Sequence, residues 1–125
     1  MKRFAILGAV AATLAFAGEA MAQNMPAATF LAKAEALEKK GAMALFSSDI
    51  GVLKREIQAS GKLLRAEQQA AAKAGRKAAY CMPAKAAINS SELLAHLRAL
   101  PPAERGQPIR AAFAGLVRKK YPCPA

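Results

Sequence analysis

Cys81, Cys123 and His96 are the side chains of this sequence best suited to chemistry, and their small number decides what that chemistry is. A zinc site takes about four ligands, and a single histidine cannot complete one around two cysteines. A cysteine nucleophile needs a base beside it, and the partner thiol would compete for it. A disulfide satisfies both residues. It would close a loop of about 43 residues, which the chain-entropy account values at roughly 4 kcal/mol. His96 lies between Leu93/Leu94 and Leu97/Leu100, a setting that favours a structural or partly exposed role. Ser90 and Ser91 stand six and five residues before it, neither of them the facing i, i+4 spacing that a serine triad on a helix would use. Asp49 reads as first-turn electrostatics. With no Gly-rich phosphate loop, metal-ligand cluster or placed pair of carboxylates, the sequence predicts a protein that is not an enzyme, with no cofactor and no metal.

The disulfide reading needs an oxidising compartment, and the start of the chain supplies the route to one. Lys2 and Arg3 precede an uncharged apolar run, Phe4–Ala17, and Ala20-Met21-Ala22 ends it with small residues where a signal peptidase reads. This is the grammar of a secretory leader over residues 1–22, cut before Gln23. Fourteen helical residues span roughly 21 Å, short of a ~30 Å hydrocarbon core. The expected location is the periplasm, with no membrane span after cleavage.

Residues 23–125 form one small domain. Lys2, Arg3 and Glu19 leave with the leader, so the formal charge falls only from +11 to +10. A charge of that size favours anionic partners: acidic proteins, lipid headgroups or cell-wall polymers. Nucleic acid is not expected, because no aromatics interleave with the basic residues as a stacking platform requires. Much of the 54% hydrophobic fraction is alanine, so the core is thin and a covalent staple is valuable.

Four helices are expected and no strand. The first spans about Ala28–Lys40, with Phe30, Ala34 and Leu37 on one side and Gly41 as its stop. Ser47 or Ser48 caps a long second helix, about Asp49–Ala74, which ends at Gly75. On it Ile50, Leu53, Ile57, Leu64 and Ala71 share one arc, while Lys54, Lys62, Arg65, Lys73 and Arg76 share another. That basic stripe is the candidate partner-binding surface. Its plainer alternative is a solvated face. Gly51 and Gly61 each cost the helix about 1 kcal/mol, which close approach of a neighbouring helix, or a bend, would explain. A third helix starts near Asn89 or Ser90, where Asn89 and Glu92 have capping-box spacing, and stops at Pro101-Pro102. A fourth follows Pro108 and buries Ile109, Ala112, Phe113, Leu116 and Val117. Tyr80 and Tyr121 flank the cysteines and are expected to cover them. The fold class predicted is an all-α, single-domain bundle of about four helices stapled by one disulfide, which is expected to tie the end of the fourth helix back to the start of the third as a closed hairpin over residues 81–123.

Tyr80-Cys81-Met82-Pro83, the Leu-rich helix, Pro102-Ala103-Glu104-Arg105-Gly106-Gln107-Pro108, the amphipathic helix and Tyr121-Pro122-Cys123-Pro124 together resemble the C-terminal half of the Tai-type immunity proteins. Those are small exported helical proteins that bind and block peptidoglycan amidases delivered through type VI secretion. The resemblance covers about Tyr80–Pro124 and carries over Cys81 and Cys123 as a bridge. That family's second cysteine pair and its Cys-x-Gly-Tyr stretch are not present, and Gln23–Ala79 matches it poorly. The resemblance implies a non-catalytic protein-binding role, with a cell-wall amidase effector as partner. The competing expectation is a basic envelope-associated protein that binds anionic lipid or cell-wall polymer. Intact-mass measurement of the natively exported protein is expected to show residues 1–22 removed and two hydrogens missing at the cysteines. A retained leader or two free thiols would contradict the reading.

Overall fold

Amphipathic spacing becomes four α-helices in the computed structural model, which describes residues 25–124; the leader and its cut before Gln23 lie outside these residues. They are α1 (Ala27–Lys40), α2 (Ser48–Lys73), α3 (Ser90–Ala99) and α4 (Ile109–Lys120). Two 3₁₀ turns, Gly41–Phe46 and Pro102–Glu104, lie between α1 and α2 and between α3 and α4. Among the described residues there is no strand, only an isolated bridge between Pro26 and Pro108. The all-α class and the single staple are as the periodicity and the cysteine count predict.

Local chemistry accounts for the helix ends. At the start of α2 the Ser47 hydroxyl accepts a hydrogen bond from the Asp49 N–H at 3.3 Å. Asn89 and Glu92 form a complete capping box on α3, each side chain accepting from the other's backbone N–H at 2.8 and 3.0 Å. Gly75, at φ 66°, closes α2 with paired bonds from Gly75 N–H to Ala72 O and from Arg76 N–H to Ala71 O. Gly41 also takes a positive φ, 55°, but with ψ −129°, so the chain enters a 3₁₀ turn and makes no such paired closure. The first two N–H groups of α1 have no side-chain cap. They donate instead to Gln107 O and Arg105 O, both at 2.8 Å, which docks the helix on the Pro102–Pro108 corner. Arg105 serves the other side of that corner, its guanidinium donating to Leu100 O and Arg98 O at the end of α3.

The core lies where α2 packs on α4 and α1 on α3. Leu64, Leu97, Ile109 and Val117 are fully enclosed, with Phe30, Leu31, Leu93 and Phe113 around them. The connector after α2 is fastened as firmly as a helix. The Gln68 carboxamide accepts from Met82 N–H at 2.7 Å and donates to Met82 O at 3.0 Å. Tyr80 drives inward and its hydroxyl donates to Leu64 O at 2.8 Å and toward Glu67 Oε2 at 3.1 Å. Burial, reinforced by the Glu67 carboxylate, pushes the Tyr80 phenol up to about 12.

Cys81 and Cys123 are bonded, their Cα atoms 4.9 Å apart, and Cys81 N–H donates to Tyr121 O at 2.9 Å. The staple differs from the expected one in what it joins. Cys81 belongs to the connector well before Ser90, so the bridge ties the end of α4 to the segment held on α2, not to the start of α3. The hairpin of α3 and α4 is closed by other groups. Lys120 Nζ reaches Glu92 Oε1 at 2.7 Å and Ala87 O at 2.8 Å, while the Tyr121 hydroxyl pairs with both backbone groups of Ala87. Tyr80 and Tyr121 are thus structural anchors more than covers, and Cys81 itself stays exposed. Replacing both cysteines by serine is expected to lower the unfolding free energy by about 2–5 kcal/mol with the helical circular dichroism retained at low temperature. Denaturant titration of the oxidised protein against this variant measures the difference.

Candidate functional site: a basic-rimmed apolar groove

Too few large side chains are available to fill the angle between α1, α2 and α3, and a groove of about 700 Å³ remains there, floored by Phe30, Leu37, Leu53, Ile57, Leu93 and Phe113. A second hollow of about 480 Å³ continues it along α2, with Gly61, Lys62, Arg65, Met82 and Ala86 in its wall. Ile57, Gln58, Ile88 and Phe113 border both, so the two form one channel. Lys54 stands on the rim of the first section, Lys62 and Arg65 on the rim of the second. The acid on this rim, Glu38, is already paired with Arg98 at 2.8 Å; Arg98 also holds Glu35 at 3.3 Å and so ties α1 to α3. The exposed rim therefore carries positive charge over an apolar floor.

Of the five residues of the basic stripe, the structure gathers Lys54, Lys62 and Arg65 at the groove. Arg65 is the least free of them, since its guanidinium donates to Pro83 O at 3.3 Å. Lys73 is exposed in the last turn of α2, and Arg76 lies past left-handed Gly75, where a 100° helical step no longer applies. Neither borders the groove. The two glycines of α2 also differ from expectation, because no neighbouring helix needs them. A Cβ at Gly61 would meet nothing within 4 Å, and one at Gly51 only the tip of the Arg55 side chain at 3.5 Å. Gly61 keeps the wall of the groove low. The close approach occurs elsewhere, at Gly115 of α4, where a Cβ would sit 3.4 Å from His96 Nε2.

His96 is buried in the α3–α4 contact, with Nε2 unpartnered among the described residues. Burial, and then the nearby Lys119 ammonium, hold its pKa below the usual histidine value. Ser90 and Ser91 are exposed at the start of α3. The polar pair that sequence reasoning missed is Glu56 and Ser60. They are 3% and 1% exposed, and Glu56 Oε2 and Ser60 Oγ have no partner among the described residues. Their positions could have shown it: Leu53, Glu56, Ser60 and Leu64 recur at the i, i+3, i+4 spacing of the buried face.

No protein-family model, curated protein or solved structure matches this chain. Fold and site together define its class: a small, disulfide-stapled all-α domain whose long helix borders a cationic, apolar-floored groove.

Desolvation raises the Glu56 carboxyl above its usual value near 4.5, so the fold favours its neutral form. The sign follows from linkage: this residue favours folding below that value and opposes it as pH rises through the raised one. Glu56→Gln is therefore expected to stabilise the protein at pH 7 by about 1–2 kcal/mol, with the gain fading toward pH 4. Thermal melts from pH 4 to 8 check both the size and the slope.

Proposed function

We propose that this chain is a periplasmic, non-catalytic binding protein that occludes the working surface of a cell-wall amidase effector, in the manner of the immunity proteins its C-terminal half resembles. The groove carries this reading. An inhibitor of this kind needs no reaction centre; it needs a rigid surface with an apolar floor and charges at the edge. The apolar floor supplies the area removed from water, and Lys54, Lys62 and Arg65 select an acidic surface and speed its approach. Rigidity comes from the Gln68–Met82 pairing and the disulfide, which hold the groove's far wall and lower the ordering cost of association.

Gly61 supports the same reading from the side of stability. Alanine there would be free of internal clash and would add helix propensity, so the glycine is a cost to the fold that keeps the groove open. Gly61→Ala is expected to raise stability by about 1 kcal/mol and to weaken partner binding, whereas Gly51→Ala raises stability alone.

The direct test is titration calorimetry between the natively processed protein and an exported amidase encoded beside its gene, with peptidoglycan hydrolysis as the second readout. A one-to-one complex that blocks hydrolysis is expected. The combined variant Lys54→Glu, Lys62→Glu, Arg65→Glu should slow association at least tenfold at low salt and flatten its salt dependence. An association rate indifferent to both salt and these reversals would remove the groove from the proposal.

A further inference from the structure

The turn between α1 and α2 is built against the ordinary rule for apolar side chains. Met43, Leu45 and Phe46 are 66%, 80% and 84% exposed. Every other leucine, isoleucine, valine, phenylalanine or methionine among the described residues is at least half-buried. Among the described residues, the large apolar side chains left in water are thus collected within four consecutive positions. In a 3₁₀ turn positions i and i+3 eclipse, so Met43 and Phe46 project from the same side, with Leu45 about a third of a turn away.

The turn has a defined shape. Gly41 enters it at φ 55°, Ser47 N–H closes it onto Ala44 O at 3.0 Å, and Lys33–Asp49 at 3.2 Å braces α1 to α2 just behind it. Lys39 and Lys40 end α1 immediately before it, both exposed and without an ion pair among the described residues. The result is a convex apolar tip with a cationic collar.

We propose that Met43, Leu45 and Phe46 insert into the interface of an anionic phospholipid bilayer while Lys39 and Lys40 meet its headgroups. Charge decides between this occupant and a second copy. Two bodies each of formal net charge +11, with lysines bordering the contact, repel one another, whereas an anionic surface draws in both collar and body. Convexity argues the same way, because a projecting tip of three side chains needs a partner that yields around it. Neither signal holds the protein alone: three side chains give shallow insertion and two lysines give a screened attraction, and peripheral binding of this kind takes both. This surface is separate from the groove and does not rest on the reading given to it. If both are right, the protein meets its partner while held at a membrane.

The test is flotation of the natively processed protein with vesicles of one part phosphatidylglycerol to three parts phosphatidylethanolamine, beside vesicles of phosphatidylcholine alone. Binding to the anionic vesicles only is expected, with partition falling about thirtyfold or more in Leu45→Ser/Phe46→Ser and about tenfold in Lys39→Gln/Lys40→Gln. Both variants should keep the parent's circular dichroism and melting temperature, since they alter exposed side chains. All forms are compared in the same processed state, so anything contributed by residues before the described part is common to them. Equal partition of Leu45→Ser/Phe46→Ser and the parent would overturn the proposal. So would binding that ignores lipid charge. So, too, would an absence of vesicle binding, whether the tip instead proves to seat a dimer, seen as a sedimentation change reversed by the same two serines, or an acidic protein.

Discussion

Three consecutive residues, Tyr80-Cys81-Met82, hold this structure together. Burial alternates along the connector that carries them, with Tyr80 and Met82 enclosed and Cys81 exposed. Tyr80 and Met82 go inward, one to the backbone of α2 and the other under the Gln68 carboxamide. Cys81 points outward and takes the end of α4 by a covalent bond. A helix-free segment thereby joins the longest helix to the last one. The consequence for a thin core is large. Few bulky side chains are available, and fixing about a hundred residues costs on the order of 100–200 kcal/mol of conformational entropy, which hydrophobic burial must nearly match. Constraining the unfolded chain reduces that demand without adding a single core residue.

The polar contacts follow the same economy. Hydrogen bonds here are concentrated where elements join, at the Pro102–Pro108 corner under α1, at the Asn89–Glu92 box and at the Lys120–Glu92 link. Glu56 and Ser60 stand apart from this pattern, as buried groups whose oxygens find no partner among the described residues. A fold selected for stability alone would place apolar side chains there. Gly61 is a further destabilising choice, and all three residues lie on the helix that borders the groove.

The surface divides into two chemically different regions. The groove is concave, apolar at its floor and cationic at its rim; the α1–α2 turn is convex, apolar at its tip and cationic at its base. Both combine exposed or groove-lining apolar side chains with positive charge at the margin. A formal net charge of +11 adds to the positive potential around each, even where single lysines are screened.

Much of this was legible from residue order. Apolar spacing along Ile50–Ala71 and Ile109–Val117, the Asn89/Glu92 pair, the prolines at 101, 102 and 108, and two cysteines with one histidine sufficed for four helices, their limits and the staple, because those signals act within a few residues or by simple count. What tertiary structure alone decided depends on contacts distant in sequence. Gln68 could not be known as the clamp on Met82, nor the Arg105 and Gln107 carbonyls as the cap of α1. The basic stripe lost Arg76 when the backbone turned at Gly75, and kept Lys54, Lys62 and Arg65 only because α1 and α3 leave space beside them. The six residues Gly41–Phe46 are too few to show a period from which the exposure of Met43, Leu45 and Phe46 could be read. That they face water is a property of where every other element went, since burial belongs to the whole chain and periodicity only to one segment of it.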